Sequence, residues 1–214
     1  MSPPPPALAT ALVAEDELAH RARAGDRLAL SELYRRHRDA VYRHARRMLR
    51  DETAALDVLQ EAFARAAAAW PRTRADGDLF FRAWVFRVAS NLCLRELNRR
   101  SRFSRGDDAE TSAAEEVDAP QDHDPESRCA TAQLGSLATA ALAALPPQYR
   151  QILLLREVEE LDYETLGEVL GLSAPMVKVT LHRARRRFAA IFQARRLVAG
   201  DGTAAGCPEL RGLL

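Results

Sequence analysis

Lysine is almost absent from this chain of 214 residues, because Lys178 is the only lysine among 31 basic residues. Cysteine is also scarce, and Cys93, Cys129 and Cys207 are too far apart for a CxxC motif or a metal-ligand spacing. No apolar run approaches the roughly 20 residues of a membrane helix. The apolar stretch ALATALV near the N-terminus lacks the preceding basic residues of a signal peptide. The sequence therefore predicts a cytoplasmic protein without a metal or cofactor.

Charge falls into three blocks, although the formal net charge is only +1. Residues 1–105 contain 20 arginines and 13 acidic residues, whereas residues 106–127 contain nine acidic residues and no basic one. Residues 128–214 are basic again, with 11 basic and eight acidic residues. This pattern predicts two basic segments joined by an acidic connector.

Apolar residues recur at helical spacing on both sides of the acidic connector, and no segment shows sustained two-residue alternation. We therefore predict an all-α fold with two small helical domains. The connector is polar and acidic, so it cannot bury enough apolar surface to offset the entropy of ordering. The predicted organisation is a disordered proline-rich tail (1–16), a helical domain (17–101), a flexible acidic linker (102–131), a second helical domain (132–193) and a C-terminal tail (194–214).

A helix-turn-helix pattern runs from Leu145 to Phe188. Gly171 ends one amphipathic helix, and Ser173 is a good N-cap for the next. The second helix has one apolar stripe and one basic stripe, a pattern typical of a DNA recognition helix. Its arginines would neutralise phosphates, while Lys178 and His182 are placed to reach base edges. The alternative is a solvated charged face, which the capped helix-turn-helix disfavours. The residues assigned to DNA contact are Lys178, Val179, His182, Arg183, Arg185 and Arg186.

The segment DVLQEAF places Asp57, Gln60 and Glu61 on one face of a helix, because they lie three to four residues apart. Such a face is most simply a solvated surface, and two carboxylates also suggest acid–base catalysis. However, the sequence has no nearby histidine or nucleophile, no glycine-rich loop and no metal-ligand cluster. We therefore predict a non-enzymatic protein in which this face binds a basic partner helix.

The segment from residue 79 to residue 102 combines aromatic residues with a basic run. Phe81 and Trp84 are more typical of a helix core than of a base-stacking platform. The remaining surface presents arginine and asparagine side chains, which suit unpaired DNA whose bases can be splayed out. The candidate single-strand contacts are Arg87, Asn91, Arg95, Arg99 and Arg100.

These three patterns, in this order, resemble the extracytoplasmic-function (ECF) class of bacterial sigma factors over most of residues 17–193. The resemblance implies that DVLQEAF docks on the β′ clamp helices of core RNA polymerase, with the β subunit as a further partner. It implies that residues 79–102 melt and read the minus-ten promoter element, with Asn91 near the melted strand. The connector Pro71–Asp78 would capture a flipped base, and the helix-turn-helix would read the minus-thirty-five element. The acidic linker would thread through polymerase as a nucleic-acid mimic.

The recognition helix departs from the family pattern at two dipeptides. The family usually has Gly-Thr where Pro175 and Met176 stand, and Ser-Arg where Val179 and Thr180 stand. A phosphate-binding arginine and a hydroxyl are therefore replaced, and we expect an unusual minus-thirty-five preference in which Val179 contacts a thymine methyl group.

The resemblance implies a transcription initiation factor that directs core polymerase to promoters and is controlled by an anti-sigma factor or another regulator. One rival is a stand-alone helix-turn-helix regulator, which leaves DVLQEAF unexplained. A second is an adaptor that only binds polymerase, which leaves the basic helix unexplained. The C-terminal tail with Cys207 is longer than the family architecture requires, and we expect it to be unstructured.

Overall fold

The computed structural model describes residues 17–72, 81–103 and 125–198, and these residues are predominantly helical. A helix over residues 17–23 (α1) is followed by α2 (Arg27–Leu49), α3 (Glu52–Ala69), a short 3₁₀ turn (Trp70–Arg72) and α4 (Phe81–Phe103). Next come α5 (Pro125–Ala143), α6 (Pro147–Leu153), a widened turn (Leu154–Val158), α7 (Tyr163–Leu170) and α8 (Ala174–Val198). None of the described residues lies in a β-strand. The predicted all-α fold class is confirmed.

The chain divides into two compact units, Met1–Leu97 and Asn98–Leu214. In the first unit, aspartates begin the long helices. The Asp26 carboxylate accepts hydrogen bonds from the backbone N–H groups of Leu28 and Ala29, and Asp51 accepts one from Ala54. These bonds satisfy N–H groups that have no partner within a helix. The two helices then pack against each other through the apolar stripes that their periodicity predicts.

Aromatic side chains fill the core of the first unit. Trp70 is fully buried, and its ring meets Phe81 edge-on with 5.2 Å between ring centroids. The Trp70 indole Nε1 donates a hydrogen bond to the backbone carbonyl of Ala19 at 2.9 Å, which ties the 3₁₀ turn to α1. Phe81 is buried and Trp84 half-buried, as expected of core residues rather than a stacking platform.

A buried polar pair joins α2 to α4. His44 Nε2 lies 2.9 Å from Ser90 Oγ, and the His44 ring meets Phe86 edge-on. Burial, with a smaller contribution from Arg47, lowers the pKa of His44 to about 3, so the imidazole is neutral in the fold. The pair holds one face of α4, the face that carries Ser90, against α2. The neighbouring residue Asn91 lies at the surface.

In the second unit, α8 packs against α5, α6 and α7. The break predicted at Pro146-Pro147 is present, since α5 ends at Ala143 and α6 begins at Pro147. Arg150 is buried under this break, and its guanidinium donates to the backbone carbonyls of Leu142, Ala143 and Leu145. A cation here satisfies the last carbonyls of α5, which have no partner within the helix.

The helices extend beyond the predicted domain limits. α4 ends at Phe103 and α5 begins at Pro125, both inside the segment predicted as a flexible linker. A proline is favourable at the first position of a helix, and an alanine-rich sequence follows it. α8 continues to Val198, into the predicted C-terminal tail. Four predicted segments lie wholly or partly outside the described residues. They are the proline-rich tail (1–16), the predicted base-capturing connector Pro71–Asp78 from residue 73 onward, the acidic centre of the linker (104–124) and the end of the chain with Cys207 (199–214).

Candidate nucleic-acid and protein interfaces

The acidic face of α3 is exposed along its whole predicted length. Asp57, Gln60 and Glu61 all lie at the surface. The opposite face of the helix is buried, and its members are Val58, Leu59, Ala62, Phe63 and Ala66. Glu61 pairs with Arg65 one turn later, with 2.7 Å between Oε1 and Nε. Because that pair is about half exposed, it adds little stability and leaves the carboxylate accessible to a partner.

The basic face of α4 is also placed by burial of its other side. Val85, Phe86, Ala89, Ser90 and Cys93 are buried, so the opposite side of α4 faces solvent. The exposed candidates recur every four residues and are Arg87, Asn91, Arg95 and Arg99. At a rise of about 1.5 Å per residue, this row extends over about 18 Å of the helix. Arg100, the fifth predicted residue, is half-buried.

Two backbone features build the helix-turn-helix. Asp162 begins α7 by accepting a hydrogen bond from the Thr165 N–H at 2.8 Å. Gly171 ends it with φ = 67°, the left-handed conformation that glycine adopts without strain, as predicted. The turn then passes close to α7, since a Cβ atom on Gly167 would lie only 2.8 Å from the carbonyl oxygen of Leu172. A glycine is therefore required inside α7 as well as at its end.

The first half of α8 presents a mixed basic and apolar surface. Its core stripe is buried and consists of Val177, Leu181, Ala184 and Phe188. All six predicted DNA contacts are exposed, namely Lys178, Val179, His182, Arg183, Arg185 and Arg186. Met176 and Val179 are 48% and 42% exposed, so two apolar side chains lie within the basic surface. This surface offers cations for phosphates and apolar groups for a base edge.

Arg185 differs from the other predicted DNA contacts because it has an acidic partner from another element. Its Nε and Nη2 atoms donate to Glu157 Oε1 at 2.9 Å and 2.5 Å. Glu157 lies in the widened turn after α6, 28 residues earlier in the chain. The basic stripe contains no acidic residue of its own, and the carboxylate at Arg185 comes from this earlier turn.

The described residues contain no group of three or more metal-ligating side chains. Cys93 is buried, and burial raises the pKa of its thiol to about 12, so it is not a reactive thiolate. No helix within the described ranges is long and apolar enough to cross a bilayer. The described surface carries basic faces on α4 and α8 and an acidic face on α3.

Two models of known families match separate parts of the chain. The Sigma-70 region 2 model matches residues 33–103, and the Sigma-70, region 4 model matches residues 137–188. An RNA polymerase sigma-E factor of Streptomyces coelicolor is 34% identical over 164 residues, which cover 76% of this chain and 85% of the relative. The chain belongs to the ECF family of sigma-70 factors. As a sigma factor, it is a promoter-directing transcription initiation factor of RNA polymerase, a class known as non-enzymatic regulatory subunits.

Further comparisons agree with this assignment to the ECF sigma factors. The ECF RNA polymerase sigma factor SigE of Mycolicibacterium smegmatis is 33% identical over 166 residues, which cover 76% of this chain but only 62% of that longer protein. A solved structure of CnrH in complex with the cytosolic domain of CnrY superposes with a TM-score of 0.61 at 27% identity, covering 85% of this chain and 98% of CnrH. The sigma factor RpoE of Bartonella quintana, solved with the anti-sigma factor NepR, gives a TM-score of 0.59 at 18% identity, covering 78% and 98%, and supports the fold.

The positions of the matches separate the sigma-factor assignment from its rivals. The acidic face of α3 and the basic face of α4 lie within the region 2 match, and the helix-turn-helix lies within the region 4 match. A stand-alone helix-turn-helix regulator accounts only for the second match, and an adaptor that only binds polymerase leaves the helix-turn-helix unused. The resemblance predicted from the motifs is confirmed.

Proposed function

We propose that this sigma factor uses three separate surfaces to place core RNA polymerase on a promoter in the bacterial cytoplasm, without catalysing a reaction itself. The observation that supports this division most strongly is that every residue assigned to polymerase docking is exposed on one face of α3. The basic recognition residues lie instead on α4 and α8. Each surface therefore has its own helix and its own type of partner.

The acidic face of α3 docks on the β′ clamp helices, and further contacts reach the β subunit. Asp57, Gln60 and Glu61 supply two carboxylates and an amide on a rigid, fully packed helix, which suits a basic helical partner. The Asp57 carboxylate lies on the turn before the Glu61–Arg65 pair, so the face keeps an accessible negative charge next to that pair.

The exposed row on α4 binds the melted minus-ten element. Arg87, Asn91, Arg95 and Arg99 form a continuous strip along the helix, and Arg100 adds a fifth group at its edge. A strip of about 18 Å is long enough to follow several nucleotides of single-stranded DNA. Cationic groups then bind the sugar–phosphate backbone, and the Asn91 amide offers a donor and an acceptor to an exposed base edge.

The N-terminal half of α8 reads the minus-thirty-five element in the major groove. Lys178, His182, Arg183 and Arg186 supply donors and positive charge, and Val179 contacts a thymine methyl group. Replacing that thymine with deoxyuridine removes only the methyl group, so the wild-type protein should lose activity on this template. Val179→Ser should be insensitive to the same replacement. Equal activity of Val179→Ser and wild type on all minus-thirty-five variants would exclude this contact.

A cytosolic regulatory segment of the anti-sigma class also binds this sigma factor. This proposal rests on two proteins of similar fold that were solved with a partner. CnrH was solved with the cytosolic domain of CnrY, and RpoE of Bartonella quintana was solved with the anti-sigma factor NepR. The acidic linker, whose nine acidic residues lie within residues 106–127, occupies a basic channel of polymerase. The two basic units then bind promoter DNA weakly on their own and tightly in the holoenzyme, because polymerase sets their orientation.

The docking assignment is tested by charge reversal on α3. Asp57→Arg should weaken binding of fluorescently labelled sigma factor to core polymerase at least tenfold, since like charges facing each other cost more than about 1.4 kcal/mol. Asp39→Arg is the matched control, because Asp39 is an exposed acidic residue on a different helix, α2, and pairs with its neighbour Arg38. Circular dichroism verifies that both variants are folded. Equal binding by Asp57→Arg and Asp39→Arg would refute the docking assignment.

A further inference from the structure

We propose that Glu157 is a positioning residue for the recognition helix and that Arg185 belongs to this internal ion pair rather than to the DNA-contact surface. The inference rests on the proposed reading of the minus-thirty-five element by α8. It changes the composition of that surface, since it removes one arginine and gives a role to an acidic residue outside the recognition helix α8.

The geometry of the pair is that of an anchored carboxylate. Both the Nε and Nη2 atoms of Arg185 donate to a single oxygen, Glu157 Oε1, at 2.9 Å and 2.5 Å. The Glu157 side chain is only 11% exposed, while Arg185 is 44% exposed. A carboxylate that is largely removed from water depends strongly on its cationic partner, so the pair is not an ordinary surface contact.

The position of Arg185 around α8 agrees with an internal role. Successive residues of a helix are about 100° apart, so Arg185 lies only about 40° from the buried Leu181. Arg186 and Val179 lie about 140° and 160° from Leu181, on the outer side of the helix. Arg185 therefore occupies the edge of the packed face, from which it reaches Glu157.

The turn that carries Glu157 is itself held on both sides. The Glu159 N–H bonds to the carbonyl of Leu154, five residues earlier, which widens the helix at this point. Arg156 then donates to the Leu161 carbonyl at 2.7 Å and lies over the Tyr163 ring at 4.9 Å. This turn leads directly into α7, so the ion pair joins α8 to the start of the helix-turn-helix. Loss of the ion pair should change how α8 packs in the unit. The outer side chains of α8 would then be aligned differently with the bases.

A charge swap separates an internal pair from a DNA contact. Reconstituted holoenzymes containing the wild type, Glu157→Arg, Arg185→Glu or the double variant are compared on one promoter with and without its minus-thirty-five element. Each single variant should lose about fivefold of the minus-thirty-five-dependent transcription, and the double variant should recover to within about twofold of the wild type. If Arg185 contacts phosphate, Glu157→Arg retains activity and the double variant is as defective as Arg185→Glu, which would overturn the proposal.

Neutral variants provide a second measurement, which does not depend on the folding of a variant with a reversed charge. Glu157→Gln and Arg185→Gln should each reduce the minus-thirty-five-dependent transcription. In the double variant the two fold-reductions should not multiply, because both changes break the same pair. Arg185→Gln should also leave the salt dependence of promoter binding unchanged. Arg186→Gln should instead lower the slope of log binding constant against log salt concentration by about one unit. Multiplying losses, or a lower slope for Arg185→Gln, would contradict an internal role. If wild-type holoenzyme shows no dependence on the minus-thirty-five element, the proposed function of α8 itself fails.

Discussion

The glycine inside α7 allows a sharp prediction about the helix-turn-helix. In Gly167→Ala, the new methyl carbon would lie 2.8 Å from the Leu172 carbonyl oxygen, a separation that real Cβ atoms essentially never show. The backbone cannot simply move apart, because the Leu172 N–H donates to the Gly167 carbonyl at 2.9 Å across the same turn. The substitution must therefore strain the turn or break this hydrogen bond.

The expected loss follows from two opposing effects. Inserting a methyl group into a packed position costs about 1–3 kcal/mol. Alanine has a higher helix propensity than glycine, which stabilises the helix by up to about 1 kcal/mol. We therefore expect Gly167→Ala to lower the free energy of unfolding of the C-terminal unit by about 1–2 kcal/mol, which shifts its melting temperature by about 4–8 °C per kcal/mol.

Gly135→Ala is the matched control, because it makes the same chemical change in α5 with no atom within 4 Å of the new Cβ. Only the propensity gain applies there, so Gly135→Ala should be slightly stabilising. The assay compares two signals during thermal unfolding of the full chain. Trp70 and Trp84 are the only tryptophans, so fluorescence reports the N-terminal unit, while far-ultraviolet circular dichroism reports both units. Gly167→Ala should shift the dichroism transition and leave the fluorescence transition in place. Equal stability of the two alanine variants would refute the steric argument.

Two further predictions concern buried polar side chains. Burial lowers the pKa of His44 from its ordinary value of about 6.5 to about 3. Between these two values the unfolded chain binds a proton at His44 and the folded chain does not. The free energy of unfolding should therefore fall as the pH drops from 6.5 towards 3, by up to about 1.4 kcal/mol per pH unit. His44→Gln cannot titrate and should flatten that dependence between pH 6.5 and 5 in fluorescence-monitored urea unfolding; an unchanged slope would contradict the burial argument. Arg150→Met should lower the stability of the C-terminal unit by about 1–3 kcal/mol, because three backbone carbonyls lose their donor. Arg150→Lys should restore only part of this loss, since one ammonium group cannot match the planar guanidinium; dichroism transitions equal to wild type for Arg150→Met would exclude this capping role.

Features that depend on neighbours within one helix could be predicted from the sequence. The end of α7 at Gly171, the break at Pro146-Pro147 and the exposed row containing Asp57 all follow from residue types at fixed local spacing. Helix bounds follow less closely from composition, because α8 and α5 extend into segments whose composition alone indicates a tail and a linker.

Features that depend on two distant residues could not be predicted in this way. Periodicity identifies which side of a helix is buried, but it does not say which residue on another element lies opposite. The Glu157–Arg185 pair spans 28 residues, and the His44–Ser90 pair spans 46. The widened turn that directs Glu157 towards α8 is likewise set by packing, since its residues alone also fit a continuous helix.

The most direct test of the central claim is run-off transcription with purified core polymerase on genomic promoter fragments, with and without this sigma factor. Discrete promoter-specific transcripts should require the wild-type protein and disappear with Asp57→Arg, while Asp39→Arg supports them normally. The protein alone should bind the same fragments only weakly. Absence of any sigma-dependent transcript, together with tight sequence-specific binding of the free protein to DNA, would contradict the account.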